Sequence, residues 1–224
     1  MTMFGHIPEF TDRVDAGRRL AAALSRFRSE HPLVLALPRG GVPVAYEVAK
    51  ALGADLDLLL VRKIGAPGQP ELGLGAVVDG SNPQVVWNEQ ALRIVRPSQQ
   101  YVDAEVQRQV QEIERRRRAY FGDASPRPTT GRTVIVVDDG IATGGTIRSA
   151  LRAVRRTNPA KLILAVPVAP RDSLSSLANE ADEVVVLATP EPFYAVGLHY
   201  ADFTQTSDDE VTALLAEART PAAT

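Results

Sequence analysis

The chain has 224 residues, 25 of them basic and 27 acidic, and it contains no cysteine. The near balance of charge lacks the basic excess that drives non-specific binding to nucleic acids, so we expect a small-molecule partner and no nucleic acid. The absence of cysteine excludes disulfides, thiolate metal sites and a thiol nucleophile. The sequence has no secretory leader pattern and no run of about 18 apolar residues, so we expect a cytoplasmic protein that makes no membrane contact.

The first part of the chain combines helical periodicity with short apolar runs. Apolar residues at helical spacing predict an entry helix over 12–27. The apolar run 33–37 predicts a strand, which ends in a glycine turn before a predicted helix over 44–52. This order of strand, glycine turn and helix is typical of α/β proteins.

A glycine- and proline-rich segment then separates two apolar stretches. It covers 62–75 and follows the apolar run 56–61, and its composition predicts a mobile loop. After it, the runs 76–79 and 84–87 predict a short antiparallel pair of strands.

The second half of the chain alternates helices with buried strands. A single apolar stripe on a polar surface predicts one long helix over 98–121. The apolar run 134–138 predicts a strand buried on both faces, the runs 162–166 and 183–187 predict further strands, and a helix is expected over 146–156. We therefore predict an α/β fold in which helices flank a mostly parallel central sheet.

Two adjacent carboxylates, Asp138 and Asp139, lie at the C-terminal end of the strand predicted at 134–138. Ligands of open α/β sheets bind outside the carboxyl ends of the strands. We therefore expect both carboxylates to face a crevice and to act in catalysis. The alternative is an ordinary strand-to-helix turn with two surface aspartates.

The residues after this acidic pair have the composition of a phosphate-binding loop. Backbone N–H groups from Ala142 to Thr146 can form a nest for a phosphate at the start of the next helix. Gly144 and Gly145 allow the backbone to approach the ligand closely, and Thr143 adds a hydroxyl donor. Carboxylates beside a phosphate are best explained by sugar hydroxyls or a bound cation, so the pattern favours a ribose phosphate with Mg²⁺.

The segment DDGIATGGT, 138–146, closely resembles the motif by which type I phosphoribosyltransferases bind 5-phosphoribosyl-1-pyrophosphate (PRPP). Its form is nearest to that of the adenine phosphoribosyltransferases. The resemblance implies one phosphoribosyltransferase domain over 1–224, Mg²⁺ as cofactor, PRPP and a small heterocyclic base as partners, and a homodimer. It also implies that Asp138 and Asp139 hold ribose hydroxyls or the metal.

The resemblance extends to the sequence PRGG, 38–41, which occupies the place of the family's pyrophosphate loop. Arg39 would supply positive charge there, and the backbone at Gly40 and Gly41 would supply amide donors. A plain turn between a strand and a helix is the alternative for these four residues.

The glycine-rich segment 62–75 corresponds to the family's flexible loop. Lys63 would meet the leaving pyrophosphate, and Glu71 is the only carboxylate in the segment. Some relatives carry an aspartate for proton transfer where this chain has Ala142. We therefore nominate Glu71 as the general acid or base, while a solvated surface glutamate is the alternative.

The segment 190–207 resembles the hood that covers the base in phosphoribosyltransferases of the hypoxanthine-guanine type. This implies that Phe193 or Tyr194 stacks on the base and that Asp202 faces the metal. Aromatic packing within a C-terminal lid is the alternative for the first two residues.

A helical insertion at about 89–122 distinguishes this chain from a minimal phosphoribosyltransferase, and we interpret it as an inserted helical hairpin. The arginine run 115–118 at its end is expected to pair with Glu112 and Glu114 along the helix rather than to bind RNA.

The expected reaction displaces pyrophosphate from PRPP with a ring nitrogen of a base, for which a purine-like base is one candidate, and gives a nucleoside monophosphate. The alternative from another class of protein is a regulatory module that binds PRPP or a nucleotide without catalysis.

Overall fold

The computed structural model describes residues 9–80, 83–122 and 124–219. The strands within these residues are β1 (Leu33–Ala36), β2 (Asp55–Leu58), β3 (Val61–Ala66), β4 (Gln69–Val78), β5 (Gln84–Trp87), β6 (Thr133–Val137), β7 (Lys161–Val168) and β8 (Glu183–Ala188). The α-helices are α1 (Arg13–Ala23), α2 (Gly41–Leu52), α3 (Glu89–Val95), α4 (Gln99–Phe121), α5 (Gly145–Arg155), α6 (Arg171–Leu177) and α7 (Asp208–Arg219).

The central sheet is parallel and has the strand order β2-β1-β6-β7-β8. Both of its faces are buried. In β1, Val34 and Ala36 belong to one hydrophobic cluster, together with residues of α2 and α7, whereas Leu33 and Leu35 belong to a second cluster with residues of α5. A strand covered on both sides needs apolar residues at every position, as its sequence indicated. The predicted α/β fold with a mostly parallel sheet is confirmed.

A second, antiparallel sheet contains β3, β4 and β5. The strand pair predicted over 76–79 and 84–87 is confirmed, because Ala76 pairs with Val86. The expectation of an irregular loop over 62–75 is wrong, because most of this segment belongs to the hairpin of β3 and β4. The fully buried Ile64 and Leu74 anchor the hairpin in the core.

The hairpin was predicted as a loop because its glycines are residues typical of loops. The register of the two strands shifts on both sides of Gly65, where a side chain would lie 2.8 Å from the carbonyl oxygen of Pro70. Glycine is required there because the two backbones approach each other at a bulge.

The helices at the two ends of the chain also differ from the prediction. The entry helix α1 ends at Ala23, and a 3₁₀ segment, Ser25–Glu30, completes the predicted range. Asp12 caps α1 by accepting a hydrogen bond from the N–H of Asp15 at 2.8 Å. The C-terminal helix α7 was not predicted, although its Val211 and Leu215 are buried in the core.

Two helices, α3 and α4, occupy the expected insertion. The long helix α4 begins after Ser98, whose hydroxyl accepts a hydrogen bond from the N–H of Tyr101, and it ends at Gly122. Near its end, Glu112 accepts hydrogen bonds from both Arg115 and Arg116. Among the described residues, no helix combines the length and apolar character needed to cross a bilayer.

Arg117, in the same arginine run, points into the protein and joins α4 to the core. Its guanidinium lies 2.6 Å from Asp79 and 3.1 Å from Asp57, and all three side chains are nearly buried. Asp57 also accepts a hydrogen bond from the backbone N–H of Arg127 at 2.7 Å. Burial raises the pKa of Asp79 against the opposing effect of Arg117. Arg117 therefore connects the inserted helix to β2 and to the end of β4.

Replacing Arg117 with methionine should destabilise the protein by about 3–5 kcal/mol, because it leaves two buried carboxylates without their counter-ion. Chemical denaturation would measure this loss. The matched control is Arg118→Met on the exposed side of the same helix, which should change stability by less than about 0.5 kcal/mol. Equal losses from the two variants would contradict the role of Arg117.

Candidate functional site

The acidic pair lies directly after β6, at the carboxyl edge of the central sheet and between the ends of β1 and β7. Asp138 accepts a hydrogen bond from the N–H of Asp139 at 2.9 Å. Burial, and next the neighbouring charge of Asp139, raises the pKa of Asp138 well above its usual range. Burial also raises the pKa of Asp139. Burial therefore disfavours the charged forms of both carboxylates unless a ligand stabilises the charge.

Arg13, at the start of α1, is the counter-ion of Asp139, and the sequence analysis missed it. Its Nε and Nη2 lie 2.9 Å and 2.8 Å from the Oδ2 of Asp139. Tyr200, also missed, donates its hydroxyl to the backbone carbonyl of Asp139. An arginine in the first turn of a helix has the pattern of a surface residue, so nothing in the sequence connects it with a carboxylate 126 positions away.

The segment 38–41 lies against the acidic pair. A side chain at Gly40 would lie 2.0 Å from the Oδ2 of Asp139, and one at Gly41 would lie 2.9 Å from the carbonyl oxygen of Val137. Both positions therefore require glycine. The peptide bond between Pro38 and Arg39 is cis. The structure thus brings the PRGG segment and the acidic pair together.

The glycine-rich loop that follows the acidic pair leads into α5. The carbonyl of Ala142 accepts a hydrogen bond from the Ser173 hydroxyl at 2.7 Å, which fixes the loop to α6. Gly144 is buried and has a positive φ of 75°, whereas Gly145 and Thr146 are exposed. The first N–H groups of a helix have no partner within it, so the start of α5 offers amide donors to an anion.

A cleft of ≈ 690 Å³ separates this loop from the β3–β4 hairpin. Its lining includes Lys63 and Glu71 from the hairpin, and Thr143, Gly145 and Thr146 from the loop. The Nζ of Lys63 lies 2.9 Å from the Oε2 of Glu71, whose side chain is 95% exposed. The two nominated hairpin residues thus face the same cleft as the loop, and they pair with each other.

Arg39 lines a second cleft, of ≈ 450 Å³, between the PRGG segment, α4 and α7. Its Nη1 lies 3.8 Å from the carboxylate of Asp208, which also accepts a hydrogen bond from the hydroxyl of Tyr120. The Arg39 guanidinium, the positive charge that was expected at the PRGG segment, therefore has only a distant ion-pair partner in Asp208.

The hood, 190–207, packs directly on the turn that follows the acidic pair. A side chain at Gly140 would lie 2.5 Å from Val196. The Phe193 ring stacks on buried His199 with a centroid separation of 5.1 Å, and Tyr194 is 78% exposed. Phe193 thus contributes to packing within the hood, whereas the ring of Tyr194 faces solvent.

Asp202, which was expected to face the metal, does not form a ligand cluster with Asp138 and Asp139. Its carboxylate accepts hydrogen bonds from the N–H and the hydroxyl of Thr204, at 2.8 Å and 2.6 Å, and these bonds lower its pKa. Across the described ranges, no three or more histidine, cysteine, aspartate or glutamate residues are arranged to hold a metal ion. The acidic ligands that the site offers directly are therefore the two adjacent aspartates.

Replacing Asp138 with asparagine should stabilise the protein without ligand at pH 7. The raised pKa means that the folded state binds the proton more tightly than the unfolded chain, so stability is lost as pH rises above about 3.9. Asparagine keeps the oxygen that accepts the N–H of Asp139 but removes the charge. Differential scanning calorimetry should show a higher Tm than that of the parent at pH 7, and a difference that shrinks towards pH 4.

Asp202→Asn is the control of opposite sign, because hydrogen bonds lower the pKa of Asp202 and its charged form is the favoured one. This substitution should leave the Tm unchanged or reduce it. An Asp138→Asn protein less stable than the parent at pH 7 would contradict the unfavourable burial of the Asp138 charge.

Comparisons with known proteins identify the family of this chain. The family model described as "Phosphoribosyl transferase domain" matches residues 6–193. The Mycobacterium tuberculosis H37Rv protein named "Putative phosphoribosyl transferase Rv0571c" is 48% identical over 206 residues, which are 92% of this chain and 46% of that protein. The chain therefore spans about half the length of the curated relatives that it matches.

Solved structures show the same fold. The crystal structure of TT1426 from Thermus thermophilus is 45% identical, with a TM-score of 0.78, and the match covers 93% of this chain and 98% of that one. A hypothetical protein from Neisseria gonorrhoeae, solved with bound ppGpp, is 15% identical with a TM-score of 0.51, over 96% and 100% of the two chains, and this likeness concerns the fold alone. The match of the family model to most of the chain shows that it belongs to the phosphoribosyl transferase domain family.

Proposed function

We propose that this chain binds PRPP at the carboxyl edge of the central sheet and displaces its pyrophosphate with a ring nitrogen of a heterocyclic base. The observation that carries the proposal is the contact between Gly40 and Asp139, which joins the PRGG segment to the acidic pair. An anion-binding loop begins three residues after this pair. Membership in the family supports transfer from PRPP in general terms.

Each part of PRPP has a matching group in this proposal. The N–H groups at the start of α5, with the hydroxyls of Thr143 and Thr146, bind the 5′-phosphate. The acidic pair binds the ribose hydroxyls directly or through a metal. Lys63 and the amides of the PRGG segment bind the pyrophosphate, and Arg39, which lines the second cleft, could join them only after releasing Asp208. The exposed ring of Tyr194 is the surface on which a base can stack, whereas Phe193 stacks on His199 within the hood.

Mg²⁺ fits the residues present at this site. Burial raises the pKa of both Asp138 and Asp139 against the opposing effect of Arg13, and a cation bound there would stabilise their charged forms. Mg²⁺ in proteins is commonly held by one or two carboxylates together with substrate phosphates, and bound there it would neutralise charge on the leaving pyrophosphate. Asp202 could join such a site only after releasing Thr204, so the proposal assigns the metal to the acidic pair.

The reaction breaks the bond between C1 of the ribose and the pyrophosphate oxygen, and the electron pair leaves with pyrophosphate. A ring nitrogen of the base then supplies the electron pair of the new bond to C1. The transition state has oxocarbenium character, as in other glycosyl transfers. The protein contributes by positioning the two reactants and by stabilising the leaving group, while the proton released by the base passes to a nearby carboxylate or to solvent.

Release of pyrophosphate from PRPP and Mg²⁺, measured with a panel of purine and pyrimidine bases, tests the proposal. We expect release with at least one base and a nucleoside monophosphate as product. The site-specific variant is Gly145→Ala, because no atom lies within 4 Å of the added carbon, which would project from the first residue of α5. Its Tm should be maintained, since alanine favours helix more than glycine by about 1 kcal/mol, while PRPP binding should weaken.

Three results would separate the alternatives. Turnover by the parent together with weakened binding by Gly145→Ala supports the enzyme and the phosphate loop. Calorimetric binding of PRPP without turnover on any base supports the regulatory alternative. Unchanged PRPP affinity in a stable Gly145→Ala protein would show that the phosphate binds elsewhere.

Glu71 is proposed as the group that exchanges a proton with the base or the leaving group, because it faces the phosphate loop across the shared cleft. General acid or base catalysis contributes about 10²–10⁴-fold, so Glu71→Gln should lower kcat by about that factor and remove one limb of the pH profile, with PRPP affinity little changed. Glu89 lines the same cleft, and Glu89→Gln is the control that should keep kcat. Equal kcat values for the two variants would assign the proton to solvent.

A further inference from the structure

Arg13 connects segments of the chain that are far apart in sequence. Its Nε and Nη2 donate to the carboxylate of Asp139, and its Nη1 donates to the backbone carbonyl of Thr204 at 2.7 Å. Only 11% of the Arg13 side chain is exposed. One guanidinium therefore bonds at once to the acidic pair and to the C-terminal part of the hood.

The same part of the hood contacts Arg13 and Asp139 in further ways. The guanidinium carbon of Arg13 lies 3.9 Å from the centre of the Phe203 ring. The rings of Phe203 and Tyr200 lie 5.0 Å apart, and the Tyr200 hydroxyl donates to the carbonyl of Asp139. The hood segment 200–204 is thus attached to Asp139 through its side chain, by way of Arg13, and through its backbone, by way of Tyr200.

The helix α1, which carries Arg13, packs closely on α2. A side chain at Gly17 would lie 2.8 Å from the carbonyl oxygen of Val44. The helix α2 begins at Gly41, the last residue of the PRGG segment. A side chain at Gly40 would lie 2.0 Å from the Oδ2 of Asp139 and 3.3 Å from the Nε of Arg13, so the PRGG segment lies against both members of the ion pair. Arg13 therefore holds the Asp139 carboxylate in the narrow space beside the PRGG segment.

We infer that Arg13 is a positioning residue that keeps the hood segment 200–204, the acidic pair and the PRGG segment in one arrangement. The inference rests on the proposed function, and it adds a residue outside the predicted binding loops to the determinants of that site. Arg13 acts through Asp139 and the hood and does not itself touch the substrate.

The chemistry of this position requires arginine. A planar guanidinium can donate along several fixed directions and stack on an aromatic ring at the same time. A lysine ammonium at the end of a flexible stem cannot reproduce the paired donation to Asp139, the bond to Thr204 and the stacking on Phe203 together. Arg13→Lys therefore keeps the charge and loses the geometry.

The test compares Arg13→Met and Arg13→Lys with Arg19→Met, by calorimetric titration with PRPP and Mg²⁺. Arg19 is the matched control, because it lies on the same helix, pairs with Asp15 at 2.9 Å and lies over the ring of Phe10. Arg13→Met removes the charge-assisted hydrogen bonds to Asp139, and we expect PRPP affinity to fall by roughly tenfold or more. Arg13→Lys should recover only part of this loss, and Arg19→Met should stay within about twofold of the parent.

Two further measurements distinguish positioning from general loss of stability. Leu215→Ala, in the core of α7, should lower the Tm without a comparable change in PRPP affinity. In a double-mutant cycle, Arg13→Met and Phe203→Leu should have non-additive effects on PRPP affinity because the two side chains are in contact, whereas Arg13→Met and Leu215→Ala should be additive. Parental affinity of Arg13→Met, full recovery by lysine or additivity with Phe203→Leu would each overturn the inference.

Amide hydrogen exchange of the protein without ligand keeps this inference separate from the proposed function. Arg13→Met should increase exchange in both 138–146 and 200–204, while Arg19→Met should leave both segments protected. A parent protein that does not bind PRPP would refute the proposed function, but the exchange experiment would still test the coupling. Unchanged exchange in either segment of Arg13→Met would refute the coupling itself.

Discussion

The close approach of Gly40 to Asp139 is the constraint on which the rest of the candidate site depends. Neighbouring parallel strands β1 and β6 end at the same edge of the sheet, so the segments that follow them must meet. Only a residue without a side chain allows the backbone of one segment to lie against the carboxylate of the other. This approach removes Asp139 from solvent and thereby creates the need for Arg13 as its counter-ion.

Electrostatic compensation by buried arginines recurs in the structure with two different results. Arg117 bridges Asp57 and Asp79 and thereby fixes the inserted helix to the core. Arg13 binds Asp139 but leaves Asp138 next to it with a strongly raised pKa. The first cluster joins structural elements, whereas the second is the place at which we propose that ribose hydroxyls or a cation bind. Buried carboxylates with strongly raised pKa values in a crevice are typical of functional sites.

The sequence predicted the features that depend on local composition. Buried parallel strands appear as unbroken apolar runs, as in 134–137, and the acidic pair and the proposed phosphate loop form one contiguous segment. Arg13 and Arg117 were not recognised as buried, because an arginine that pairs with a distant carboxylate has the same local pattern as a solvated one. The hairpin was mistaken for a loop because the glycine that permits close packing of two backbones at Gly65 is also the residue most typical of irregular loops.

The hairpin of β3 and β4 has an entropic consequence for any closure over the substrate. Ordering a flexible loop costs about 1–2 kcal/mol per residue in backbone entropy, and this cost would reduce the affinity for the substrate. In this chain the backbone is already ordered by the pairing of β3 with β4, and the Tyr101 hydroxyl donates a hydrogen bond to the carbonyl of Gly65 at 2.9 Å. Closure would therefore be a rigid-body movement of the preformed hairpin, which is supported by α4. Most of the binding free energy would then remain available for holding the ligand.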